Sequence, residues 1–347
     1  MTAVVNLKPL TTSQLLDRAF RFYRSNFFLF VGIITLPQIP LAITTIFASI
    51  WMANVDPSLF TDFTPETISS GVSFFLIAFS IAGLTFLAIL IAVAALSRAV
   101  FESYSGRVIG IAQAYSKIGR SWVSFLGVFF LSLLIVFFLF LIFLIPCIGW
   151  IMAIPGSGFV TFLYLVLIPL SVPVLTLEKK GAAQGLRRAW ELARRRFWWA
   201  LGTVLLIWLL TWSITFGPAT LVQGLLFSMV DSVGLTTITV LQQLILFLIR
   251  IIVLPIPILS FILMYIDLRV RTEGLDLALA IAEEETEVSE FAMFAVDLPS
   301  PSTNWNPTGA EIGYFASITI GFALFFLAIG GIIAFLGLAI GSAFGGL

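Results

Sequence analysis

Long apolar runs separated by short polar blocks dominate the chain. Seven runs, near 27–52, 71–96, 122–145, 157–177, 198–217, 240–266 and 313–342, approach or exceed the roughly 20 residues that cross a bilayer's hydrocarbon as a helix. A different pattern precedes the first run. Leu15, Leu16, Ala19, Phe20 and Tyr23 share one helical face, while Asp17, Arg18, Arg21 and Arg24 fill the other. That pattern predicts a helix lying in the membrane interface, with cations toward the headgroups. Thr11 and Gln14 have the spacing of a capping box at its start.

The same unit recurs. Residues 19–32 read AFRFYRSNFFLFVG, 114–127 read AYSKIGRSWVSFLG and 189–202 read AWELARRRFWWALG. Each begins Ala-aromatic, carries basic residues, meets the membrane at Phe27, Trp122 or Phe197, and reaches Gly32, Gly127 or Gly202 five residues later. The predicted fold is an all-α polytopic membrane protein built from three repeats of an interfacial amphipathic helix plus two transmembrane helices. An extra C-terminal transmembrane helix follows.

The modules fall at about 11–96, 106–177 and 181–271, within a six-span domain over 1–282. An acidic linker, 283–311, and a glycine-rich segment, 312–347, complete the chain. In that last segment Gly337 and Gly341 match a GxxxG spacing. Prolines predict the irregularities. A kink is expected at Pro37 and Pro40 around Gln38, a turn over Pro146–Gly158, and an end to the fifth span at Gly217-Pro218. An outer loop or half-helix is expected over 219–237, and a broken sixth span at Pro255 and Pro257.

Composition identifies the solvent. Sixty per cent of residues are hydrophobic, 10% are charged, and the mean hydropathy is +1.11, so the predicted surroundings are lipid. Zero net charge conceals a sorting by position. Seventeen of the eighteen Lys and Arg fall in 1–26, 97–121, 178–197 and 267–271, all on one side of a six-span alternation. The positive-inside rule makes that side cytoplasmic, along with the N-terminus, and a seventh span leaves the C-terminus outside. The first run begins at Phe27, after Asp17 and with no small-residue cleavage site, so a retained span is expected in a multi-pass cell-membrane protein.

Candidate chemistry is sparse. The chain has no histidine, which removes the commonest general base and metal ligand. Its one cysteine, Cys147, reads as a small apolar filler. The acidic run near 283–290 lacks the turn and ligand alternation of a calcium loop. No cofactor, metal or nucleic acid is expected.

The expected lipid-headgroup residues are Arg18, Arg21, Arg24, Arg187, Arg188, Arg194, Arg195, Arg196, Arg269 and Arg271, with anionic lipids as partners. Gln38 and Arg250 form a candidate intramembrane polar site. Arg250 is open to two readings: snorkelling to the outer interface, or contacting a substrate or ion. The expected function is a non-enzymatic scaffold or accessory subunit organising lipid or a partner membrane protein. The alternative is a small-molecule or lipid transporter with a cavity among the modules.

The stretches LLDRAFRFYRSNFFLFVG (15–32), GLRRAWELARRRFWWALG (185–202) and YIDLRVRTEGLDL (265–277) together resemble the membrane-domain family of glycerophosphoryl diester phosphodiesterases. The resemblance covers about residues 10–280 and includes Asp267, Leu268, Arg269, Val270, Arg271, Glu273 and Gly274. It implies a six-span membrane domain, fused in some members to a barrel-shaped phosphodiesterase. That barrel takes about 250 residues and uses histidines. Here the longest polar stretch, 267–311, cannot hold it, so the resemblance does not carry over the catalytic activity.

Overall fold

The computed structural model describes residues 9–53, 65–104, 109–119, 121–275 and 307–344, with side chains in the last helix described to Gly331. Residues 54–64 and 276–306, which contain Asp56, Asp62 and most of the acidic linker, lie outside the described residues.

The described residues form helices and no strands. These are α1 (Thr12–Ser25), α2 (Phe27–Ala53), α3 (Pro65–Tyr104), α4 (Ile111–Ser116), α5 (Ser121–Phe143) and α6 (Ile148–Phe162). A π-helical turn, Leu163–Leu167, leads into α7 (Ile168–Leu177). Then come α8 (Ala182–Arg194), α9 (Phe197–Phe227), α10 (Val230–Val233), α11 (Leu235–Val253), α12 (Pro255–Glu273) and α13 (Gly309–Phe344).

Among the described residues, seven stretches are long and apolar enough to cross a membrane: Phe27–Trp51, Ile68–Ser103, Ser121–Phe143, Gly149–Leu177, Phe197–Phe227, Leu235–Glu273 and Gly309–Gly331. Phe28, Phe47, Phe130, Trp208, Leu225 and Leu327 are among the large apolar side chains left exposed, as expected where lipid is the solvent.

Local chemistry explains the helix ends. The Thr11 hydroxyl accepts from the Gln14 amide while the Gln14 side chain accepts from Thr11 N–H, so the capping box forms at α1. Gly274 adopts the left-handed conformation that ends α12. The middle amphipathic helix, α4, has only 6 residues.

Prolines interrupt the spans less than expected. Pro37 and Pro40 lie inside one continuous α2, and α9 runs through Pro218 to Phe227 instead of ending at Gly217. The turn after α5 is equally brief, and α6 begins at Ile148 and runs through Pro155. In hydrocarbon an unwound segment exposes several unpaired backbone groups, whereas a proline kink frees few. The sixth span is divided at Leu254 between α11 and α12, and the fourth is interrupted by the π-helical turn between α6 and α7.

The chain divides into two compact units. The first comprises Met1–Phe129 and Val166–Pro301, and the second Phe130–Leu165 and Ser302–Leu347. This differs from the linear division into a six-span domain and a C-terminal appendage. In the second unit α13 packs along α6, and the acidic linker is shortened at its end, because α13 begins at Gly309 with Glu311 in its first turn. Gly158 makes that packing possible: a side chain there would strike the Phe315 carbonyl, and Ser157 and Thr319 share a hydrogen bond of 2.9 Å nearby. Among the described glycines of α13, Gly321, Gly330 and Gly331 meet nothing within 4 Å, whereas Gly337 and Gly341 lie outside the residues whose side chains are described.

The first unit is built around α3, α7 and α12, which pack on one another. Each amphipathic helix rests on one of them: α4 on α3, α8 on α7, and α1 on α12. In two of the three cases the first residue of the amphipathic helix also meets the recurring glycine of an incoming span. Ile111 of α4 fills the space beside Gly32, and Ala182 of α8 fills that beside Gly127. Thr12 of α1 approaches Thr203, next to Gly202, with hydroxyls 3.3 Å apart.

Candidate functional site

The ends of α3, α7 and α12 gather with α1, α4 and α8 at one basic end of the first unit, and most of its charge chemistry lies there. Glu178 caps the C-terminus of α7. Lys179 then takes a left-handed conformation (φ 53°), and Lys180 pairs with Glu178 at 3.0 Å. Arg188, on the buried face of α8, reaches both Glu178 (3.3 Å) and Glu273 of α12. Its Nε is close enough to Glu178 for charge pairing but is not aimed at it as a hydrogen-bond donor.

Arg269 lies one turn before Glu273 and pairs with it at 3.0 Å. It also donates to the Tyr265 hydroxyl at 3.3 Å, and that hydroxyl donates to Glu178 at 2.9 Å. Arg269 is 1% exposed and Arg188 5%. Two carboxylates and two guanidiniums thus share one buried network tying α7, α8 and α12 together.

A second network anchors the start of the chain. Asp267 accepts from the Leu10 amide at 2.6 Å and pairs with Arg271 at 2.7 Å, and Arg271 donates to the Leu10 carbonyl. Arg271 also lies over the Trp199 ring at 5.6 Å. A third ties α3 to α7 and to the end of α4: Arg98 donates to the Thr176 carbonyl near the end of α7, and Lys117 pairs with buried Glu102 at 2.5 Å. Arg195 likewise donates to the Thr272 carbonyl at 3.0 Å. Basic side chains here satisfy carbonyls that a helix C-terminus leaves open.

Two tyrosines link amphipathic helices to irregular spans. Tyr115 of α4 donates to the Ile33 carbonyl, and Tyr23 of α1 donates to Ile252 at 2.7 Å, beside the break at Leu254. Burial pushes both phenols above their ordinary value, so they stay protonated as donors.

The expected headgroup cations therefore separate. Arg188 and Arg269 are withdrawn into ion pairs, and Arg271 is engaged by Asp267 and Leu10. Arg21, Arg24, Arg187, Arg195 and Arg196 are exposed, with Arg18 and Arg194 partly so. Arg21 pairs with Asp17, Arg187 with Glu191, and Arg194 covers Trp190 at 5.8 Å. Arg18 and Arg21 come together with Phe22 and Ser25 around a shallow surface depression of about 320 Å³.

Gln38 and Arg250 differ in setting. Gln38 is 1% exposed with both amide atoms unpaired among the described residues, whereas the Arg250 side chain is exposed.

Sequence reasoning missed Glu178, Tyr265 and Tyr115 as organising residues. A signal existed for some partners: Asp267–Arg271 and Arg269–Glu273 stand four apart on one helix, and acids within basic blocks invite pairing. Nothing local joins Glu178 to Arg188 and Tyr265. Chemically, the network locks helices together, because its acids are already engaged by cations or donors. No cluster of metal-ligating side chains occurs among the described residues. No family model, curated protein or solved structure matches the chain.

Proposed function

We propose that the protein is a non-enzymatic membrane scaffold that gathers anionic lipid at its basic end, for itself or for a partner membrane protein. The observation that carries this reading is the sorting of arginines. Those inside are neutralised by Glu178, Glu273 and Asp267, while Arg24, Arg195 and Arg196 remain at the surface, the last two next in the chain to Phe197 and exposed Trp198. Each surface cation near anionic headgroups contributes about 1 kcal/mol before screening.

The test replaces Arg194, Arg195 and Arg196 together with Gln. Native mass spectrometry should then show fewer retained phosphatidylglycerol molecules, with neutral-lipid retention unchanged. Equal retention in a folded variant would remove the scaffold reading. On this reading the protein is a non-catalytic relative of the phosphodiesterase membrane domains, built from three copies of one unit. Purified protein should release no glycerol 3-phosphate from glycerophosphodiesters. Its basic end faces the cytoplasm, so in intact cells a single cysteine at 182, in a Cys147→Ser background, should resist an impermeant thiol reagent that labels position 60.

Gln38 favours a second reading, transport through the helices. A buried amide with no partner is unfavourable unless a polar molecule visits it. Labelling of Gln38→Cys by a small water-borne reagent would support this reading, and complete protection would oppose it.

A further inference from the structure

Resting on the scaffold reading, we infer that the outward face of α1 holds one discrete site for an anionic glycerophospholipid. Arg18, Arg21, Phe22 and Ser25 recur at helical spacing and line the depression described above. The opposite face of α1 is committed: Leu15, Ala19 and Tyr23 are buried, and the helix packs on α12. The depression therefore faces outward on a helix fixed from behind.

Its floor is fixed as well. Phe22 stacks on Phe30 of α2, with ring centroids 5.8 Å apart, holding the elbow between α1 and α2. Ser25 donates to the Phe22 carbonyl at 2.9 Å, so recognition of an anion falls to the two guanidiniums. Arg21 lies 2.5 Å from Asp17, yet that pair is open to water and leaves further N–H donors on the fork. Two such forks one turn apart suit the non-bridging oxygens of a phosphodiester.

The surroundings select a lipid over free phosphate. Phe28, three residues beyond Ser25, is 86% exposed at the head of α2. Leu36, Ile39 and Ile43 continue the exposed apolar surface along that span. The depression lies where α1 leads into α2, whose exposed apolar face begins at Phe28, so an amphiphile would set its phosphate on Arg18 and Arg21 and an acyl chain along that face. A soluble phosphate uses only the first half.

The experiment follows the most tightly held lipid on the intact protein. Native mass spectrometry in mixed phosphatidylglycerol and phosphatidylcholine micelles should show one phosphatidylglycerol surviving the harshest activation. Arg18→Gln with Arg21→Gln should reduce that species about tenfold, as expected for two screened surface cations. The Arg194/Arg195/Arg196 variant should keep it, although it holds fewer lipids in total. Phe28→Ser should weaken it, and millimolar inorganic phosphate should not displace it. An unaltered melting temperature in Arg18→Gln/Arg21→Gln would show that the loss is local.

Equal losses in the two arginine variants would overturn the discrete site and leave the scaffold reading standing. Displacement by phosphate with Phe28→Ser unaffected would assign the site to free phosphate and overturn the lipid. No phosphatidylglycerol on the wild type would end both readings.

Discussion

The Tyr115 hydroxyl donates to the Ile33 carbonyl, the acceptor that Pro37 leaves without its usual amide partner four residues on. A helix lying outside the span thereby repairs a defect within it. Tyr23 likewise donates to the Ile252 carbonyl, two residues before the break in the sixth span. Both amphipathic helices thus act as splints on irregular spans.

Removing only the Tyr115 hydroxyl, by Tyr115→Phe, should lower stability by about 0.5–1.5 kcal/mol, the net value of one hydrogen bond. Thermal unfolding in micelles measures it. The phenol is raised above its ordinary value by burial, so its contribution is present below about pH 10 and lost as pH climbs through the folded value. In Tyr115→Phe that alkaline loss should shrink.

Arg188→Met should be far more damaging. It strips a guanidinium from Glu178 and Glu273 together, and breaking a buried ion pair from one side costs about 3–5 kcal/mol. Arg187→Met, one residue away on the exposed face, should change the unfolding midpoint little. Similar midpoints for the two variants would show that the buried network contributes little to stability.

The recurring glycines give opposite expectations. At Gly127 an added Cβ would lie 2.6 Å from the Cβ of Ala182, so Gly127→Ala should destabilise by about 1–3 kcal/mol as α8 is pushed away. At Gly202 the space is open, and Gly202→Ala should stabilise its helix by up to about 1 kcal/mol. Melting temperatures moving in opposite directions would support this reading, whereas parallel shifts would contradict it.

Gln38→Leu should raise the melting temperature. It replaces an unpaired buried amide with an apolar group of similar size, recovering about 1–3 kcal/mol of unsatisfied desolvation. A lower melting temperature would mean that the amide has a partner in the membrane.

The spans, the amphipathic face of α1 and its Thr11–Gln14 cap were legible in the amino-acid order, because each depends on neighbours within a few turns. Span boundaries were less so. Gly217-Pro218 reads as a stop, yet α9 continues for nine residues beyond Pro218, since lipid penalises unpaired backbone more than water does. The cations were legible as a group but not individually. Arg187 and Arg188 are adjacent in a basic block, and only the second is buried.

The sequence by itself determined an all-α membrane protein with its basic residues, Arg250 excepted, gathered in short blocks between apolar runs, because span length and charge placement are properties of the chain read in one dimension. Only the tertiary structure decided that Glu178, Arg188, Arg269 and Glu273 meet, that Tyr115 finds Ile33, and that Gly158 admits α13. Apart from Arg269–Glu273 within α12, those contacts join residues from ten to more than a hundred positions apart. A buried charge or a freed carbonyl takes whichever partner the packing brings within about 3 Å. Which helix faces which is therefore the physical quantity that local pattern does not contain.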